Sequence, residues 1–152
     1  MRPLPLSSSL VVLDEAVAGD ADRVFEYCQD PVFERYLTNP WPYRSEHAEE
    51  FLGEYVPAGW VSDREYTWAV RELSAAELVG VIGLRLTGES VAADASVHSV
   101  GSIGFWLGAT HRGRGLIPEA QRRDADWAFA EGIIDVPHGE GRVGNVASAR
   151  AA

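Results

Sequence analysis

Leu6 to Leu13, which ends in the apolar run Leu10 to Leu13, predicts a first strand. Asp20 stands where a helix N-cap belongs, and Val24, Phe25 and Cys28 recur at helical spacing, so a helix is expected from about Ala21 to Cys28, ended by Pro31. Asn39-Pro40-Trp41-Pro42-Tyr43 reads as a rigid turn. Ser45 can cap a second helix whose apolar face is Ala48, Phe51, Leu52 and Tyr55, with Pro57 and Gly59 as its stop. Three apolar runs follow, Tyr66 to Val70, Leu78 to Leu86 and Val100 to Leu107, separated by polar or small-residue loops in the pattern of an antiparallel meander. Pro118 fits the first turn of a third helix reaching about Glu131, and Val136 to Val143 can form a last short strand. The sum is an α/β fold of the α+β kind: a mixed, mostly antiparallel central sheet flanked by helices, in a single domain over 1–152.

Composition narrows the function. With 46% hydrophobic and 24% charged residues the chain resembles an average soluble globular protein, and its apolar runs fall far short of a membrane span. Neither a membrane partner nor a secretory leader is expected, so the expected location is cytoplasmic. The single Cys28 has no partner for a disulfide and no companion at metal-ligand spacing, so it reads as core packing, and no metal is expected. A formal charge of -10 argues against nucleic acid as a partner. Against that acidic background Arg112, Arg114, Arg122 and Arg123 gather around one predicted turn, where an anion could bind.

That turn is the strongest chemical signal. Gly104-Phe105-Trp106-Leu107 is followed by Arg112-Gly113-Arg114-Gly115-Leu116, then Glu119 and Ala120: strand, tight loop, helix start. Two closely spaced glycines let the backbone approach a phosphate, and the first amides of the helix would point at it. The dinucleotide fingerprint fails because Pro118 occupies the place of its third glycine, and the Gly-Lys-Ser/Thr ending of a P-loop is absent.

With this loop in place, the chain resembles the GNAT superfamily of N-acetyltransferases, in particular its RimJ/RimL-type members. The likeness rests on four segments in order. Asn39 to Tyr43 with the helix at Ala48 to Leu52 is similar to the region of that group's second helix, Tyr66 to Val70 and Val79 to Leu84 to its second and third strands, and Gly104 to Leu116 to its acetyl-CoA motif. Val143-Gly144-Asn145-Val146-Ala147-Ser148 is similar to its Asn-x-x-Ser element. The resemblance implies acetyl-CoA as cosubstrate and a primary amine as acceptor, either a peptide N-terminus or a small molecule. It further implies pantetheine pairing along Phe105, Trp106 and Leu107, a pyrophosphate seat on Arg112, Gly113, Arg114, Gly115 and Leu116, Asn145 as a hydrogen-bonding partner of the cofactor, and Ser148 as proton donor to the leaving thiolate.

A base for the amine is not singled out by the residues. Glu72 at a strand end is one candidate, although such a residue is commonly only solvated, and loop His111 is another. Trp41, Tyr43, Trp60 and Trp68 can wall an acceptor cleft or fill the core. The chain departs from the family with Thr110 at the loop entry, with Gln121, Arg123 and Asp124 in the third helix, and with Pro137, Gly139 and Gly141 in the last strand. The family also continues past Asn-x-x-Ser with a further helix and two strands, and their absence would expose a sheet edge, so that either another chain, as in a homodimer, covers it or the fold is compromised. The alternative readings are an inactive or weakly active acyl-CoA-binding fragment or module and, last, an unrelated acidic interaction domain.

Overall fold

The computed structural model describes residues 1–93 and 96–139. The expected first strand over Leu6 to Leu13 is instead a hairpin, β1 (Leu6–Ser7) and β2 (Val11–Glu15). The Ser8 hydroxyl causes the break: it accepts from the amides of Leu10 and Val11 at 3.1 and 3.2 Å, while the Ser8 amide donates to Val11 O at 2.9 Å.

The first and last helices run close to their expected bounds, while the helix expected to be capped by Ser45 continues past its expected stop and Pro31 starts a helix that was not expected. In α1 (Ala21–Tyr27) Asp20 is the residue before the first turn, yet its carboxylate does not cap the helix; it accepts from the Val17 amide and from Arg71. Pro31, expected as a terminator, opens a second helix, α2 (Pro31–Tyr36), where its missing N–H costs nothing and Asp30 caps Val32 N at 3.0 Å. Pro57 and Gly59 do not end the next one. Helix α3 (Ser45–Glu50) runs through a π-helical stretch at Phe51–Tyr55 into α4 (Val56–Val61). In that wide turn the Val56 amide donates five residues back to Phe51 O, so the carbonyls a proline ring would strike are displaced. Gly59 serves packing, since a β-carbon there would stand 2.6 Å from Glu65 O at the start of the next strand. Ser45 is the first helical residue rather than the cap; His47 Nδ1 reaches back to accept from the Arg44 amide at 2.9 Å.

The meander is present as β3 (Glu65–Glu72), β4 (Leu78–Ala93) and β5 (Ser96–Leu107), and α5 (Leu116–Ala130) crosses over to β6 (Val136–Gly139). The sheet order is β1-β2-β3-β4-β5-β6, antiparallel throughout except for the parallel β5/β6 pair. The expected continuation of β6 to Val143 lies outside the described residues.

Two clusters hold the layers together. Trp60 of α4, Tyr66 and Trp68 of β3 and Trp127 of α5 meet edge to face with ring centroids 4.9–5.2 Å apart for four of the pairs, and Trp60 Nε1 donates to Thr67 O at 2.9 Å. Pairs of this geometry add about 0.5–1.5 kcal/mol each beyond the area they bury. Trp60 and Trp68 are therefore core residues, 1% and 0% exposed, and not cleft walls. At the opposite end of β3, Arg71 is gripped by both oxygens of Asp20 at 2.8 and 2.9 Å and by Asp14 at 2.7 Å, and also donates to Ala76 O. This fork ties β2, β3 and the entry to α1 into one unit.

Among the described residues of α5, Gln121 Oε1, Arg123 Nε and Trp127 Nε1 are buried without a hydrogen-bond partner, and Asp124 is the most deeply buried such case. It sits in the sheet-facing stripe of α5, 0% exposed, with neither carboxylate oxygen hydrogen-bonded, and burial pushes its carboxyl up to about 8 from an ordinary 3.8. The native state therefore keeps a proton that the unfolded chain releases near its ordinary value. Between those two pH values native protein binds more protons, so Asp124 lowers stability as pH rises, by up to about 1.4 kcal/mol per unit, and has no further effect above about pH 8. Melting curves of wild type and Asp124→Ala from pH 5 to 9 should show the variant gaining on wild type up to about pH 8 and then keeping a constant lead. A difference that does not vary with pH would contradict the buried neutral acid.

Candidate active site

Strand β5 delivers the chain to the expected loop. Its last residues pair with β4 from Gly104↔Gly83 to Leu107↔Gly80, whereas β6 pairs with it only from Val100 to Ile103; beyond Ile103, among the described residues, the other edge of β5 is unpaired. The Gly108 amide donates to Val79 O at 2.8 Å. Antiparallel alternation then turns the backbone groups of Gly104 and Trp106 toward β4 and those of Phe105 and Leu107 toward the unpaired edge. The Trp106 indole packs instead against Phe33 and Tyr27, with centroids 5.7 and 6.4 Å away.

A 3-10 turn at Ala109–His111 leads into the glycine loop, where Gly113 and Gly115 have φ of +77° and +75°. An added β-carbon would meet nothing at either position, so the left-handed backbone, not crowding, calls for glycine. Among the described residues the amides of Gly113, Arg114, Gly115, Leu116 and Ile117 donate to no carbonyl, and Glu119 N is the first to turn back, to Gly115 O. The strand, turn and helix N-terminus thus present a row of free donors.

Side chains fasten this loop. Arg112 turns inward: its Nε and Nη2 donate to Leu107 O at 3.1 and 2.9 Å, it pairs with Asp30 at 3.1 Å, and it lies 5.5 Å over the Phe33 ring. His111 stands between Tyr27, whose hydroxyl is 3.1 Å from Nε2, and Glu72, 2.9 Å from Nδ1. Arg114 also pairs with Glu72. The His111 hydrogen bond, aided by Arg114, holds the Glu72 carboxyl below the usual carboxylate range.

A cleft of about 680 Å³ opens on the face of the sheet that carries Gly83, Gly104 and Trp106, walled by one side of the α3–α4 rod and by Leu37 to Pro40. Tyr43 lines it; Trp41 is 40% exposed and is not part of its wall. Glu72 and His111 are not in its wall either, being grouped at the glycine loop. Phe105, Trp106, Leu107 and Arg112 to Leu116 form one continuous path from strand edge to helix start. Asn145 and Ser148 lie outside the described residues. Sequence reasoning missed Tyr27, Glu65 and Thr67. For Thr67 a signal existed, a polar residue inside an apolar run and opposite strand-interior Gly83; nothing local marked Glu65 or Tyr27.

The family profile described as an acetyltransferase (GNAT) domain matches residues 11–152. Solved structures agree in fold. RimL, a ribosomal L7/L12 alpha-N-protein acetyltransferase, is 16% identical with a TM-score of 0.79 over 100% of this chain and 79% of that one. A GNAT-family acetyltransferase from Bacillus anthracis is 16% identical with a TM-score of 0.76 over 97% and 80%. Mycobacterium smegmatis RimJ, solved with CoA-disulfide, is 15% identical with a TM-score of 0.73 over 99% and 75%. No curated protein sequence matches the chain. With the profile spanning nearly its whole length, on a strand, loop and helix that expose a row of amides, the chain belongs to the GNAT acetyltransferase family.

Proposed function

We propose that this domain transfers acetyl from acetyl-CoA to a primary amine, with the pantetheine arm along the unpaired edge of β5 and the pyrophosphate on the amides of Gly113 to Ile117. The observation that carries the reading is the continuity of these two donor sets along one path, ending beside a cleft open to an acceptor. RimL acts on a protein N-terminus, which supports a peptide N-terminus as one acceptor class, a small amine being the other.

Free amides on β5 suit the thioester carbonyl, whose oxygen gains charge as the amine attacks; the Phe105 amide faces that edge. The C–N bond forms, the C–S bond breaks, the amine loses a proton to water or a base, and the thiolate takes one up. Ser148 is our candidate donor to the thiolate and Asn145 a cofactor partner, on the family resemblance. For Glu72 the surroundings favour a different part from that of base. Its carboxylate is engaged by His111 and Arg114, its proton affinity is depressed, and it stands outside the acceptor cleft, so it fastens the glycine loop.

Two variants test this. Gly113→Glu places a side chain where φ is +77° and a negative charge beside the phosphate seat. Its KM for acetyl-CoA should rise at least about tenfold with only a small loss in Tm; unchanged affinity, measured by calorimetry, would remove the loop from the site. Glu72→Gln should raise KM for acetyl-CoA while kcat and its pH profile stay within about threefold. A collapse of kcat with loss of its basic rise, on the order of a hundredfold, would instead make Glu72 the base.

A further inference from the structure

The floor of the cleft contains an opening that acetyl transfer to a simple amine does not require. Gly83 of β4 faces Gly104 of β5 on one side and Thr67 of β3 on the other. A β-carbon on Gly83 would stand 3.2 Å from Thr67 Oγ1 and 3.4 Å from Glu65 Oε1, whereas nothing lies within 4 Å of one on Gly104. Two facing glycines thus leave a hollow bordered by a hydroxyl and a carboxylate oxygen. Thr67 is 3% exposed, lines the cleft, and its hydroxyl has no hydrogen bond among the described residues. A hydroxyl at the cleft floor with no protein partner takes its hydrogen bond from water or from a ligand atom.

The charges define the ligand. Glu65 uses Oε2 to accept from Tyr55 at 2.6 Å and from Arg85 at 3.1 Å, which neutralises Arg85 and leaves Oε1 turned to the hollow. Glu50 and Glu54 line the same cleft, and among the described residues no ion pair or hydrogen bond holds either. The cleft therefore carries an excess of negative charge above aromatic walls, Phe51 and Tyr55 being stacked with centroids 5.8 Å apart. Carboxylates with aromatic faces suit an ammonium.

We propose that Glu65 Oε1, Thr67 Oγ1 and the space over Gly83 form a seat for a second, non-reacting ammonium of the acceptor, so that the preferred acceptors are dications. This rests on the acetyl-transfer reading for the identity of the reacting amine. The seat lies over β4, and a cofactor along the open edge of β5 would be two strand spacings away, about 10 Å. A second nitrogen several bonds from the reacting one spans that distance, as in an alkyl diamine or a peptide whose N-terminal residue is followed by lysine.

Calorimetry with the purified chain at pH 7.5 tests the seat without turnover. Pentane-1,5-diamine should bind at least about tenfold tighter than pentylamine, a difference of about 1.4 kcal/mol, and alanyl-lysine amide tighter than alanyl-methionine amide if the source is a peptide. Thr67→Val removes no hydrogen bond of the free protein and should keep the fold. It and Gly83→Ala should bring the diamine preference to within about twofold while acetyl-CoA binding is unchanged. Equal binding of diamine and monoamine by wild type, or a preference retained in both variants, overturns the proposal. CoA release with acetyl-CoA and each amine is a separate measurement. Its absence with all of them would count against acetyl transfer, while a diamine preference in binding would still support the seat.

Discussion

Among the described residues the fifth strand past Ile103 has a ladder partner on one flank only, and the glycine loop and the cleft are arranged around that condition. Backbone N–H and C=O groups on an open flank must find water or a ligand, because leaving them bare costs about as much as losing the hydrogen bonds themselves. The chain takes care of one of them: Arg112 closes Leu107 O with two donors. What remains free on that flank is a short set of groups leading into a loop whose amides are also free. An open edge of this kind invites an extended ligand that adds as a strand. Its shortness, with the glycine turn at one end and β6 at the other, limits pairing with another chain.

Keeping such an edge requires rigidity elsewhere. The Arg71 fork and the aromatic cluster anchor β3 at both ends, and β3 carries β4, which carries β5. The contacts around Glu72 are of another kind. Arg114 is half-exposed, and ion pairs at that exposure contribute at most about 1 kcal/mol. They are too weak to determine the fold, yet they fix where a loop of flexible glycines stands. Tyr27 shows the same division of labour: its ring presses on Gly108, where a β-carbon would lie 2.7 Å away, and its hydroxyl reaches His111. One side chain from α1 thereby sets both the exit of β5 and the orientation of the loop imidazole.

Much of this was legible along the chain. The meander follows from three apolar runs, and the glycine loop from two glycines flanked by arginines between a strand and a proline-started helix. Both signals are local. The readings that failed concern residues whose partners are distant. Asp20 resembles a cap in its own neighbourhood, but a buried guanidinium 51 positions away claims its carboxylate. Pro57 and Gly59 look like stops, and only the π turn before one and the backbone of Glu65 beside the other explain why the helix passes through them. Glu72 is a residue whose surroundings were likewise out of local view, since His111 and Arg114, which engage its carboxylate, lie 39 and 42 positions later. Asp124 was visible as a break in an apolar stripe, and it remains buried there without a partner.

The strand glycines connect these observations. Glycine in a strand interior weakens it, so its presence opposite another glycine in the register, Gly83 across from Gly104, needs a reason that packing of the sheet does not supply. Neighbouring pairs on the same strands are filled by Val81 with Trp106 and by Leu84 with Ile103. The missing side chains lower the cleft floor to the backbone at the place where β3 presents Thr67 and Glu65, on the face opposite the core side of β3 that carries Tyr66 and Trp68. Alternation along one strand thus assigns Tyr66 and Trp68 to stability and Thr67 and Glu65 to the cleft, so the same eight residues of β3 serve the core on one face and line the cleft on the other.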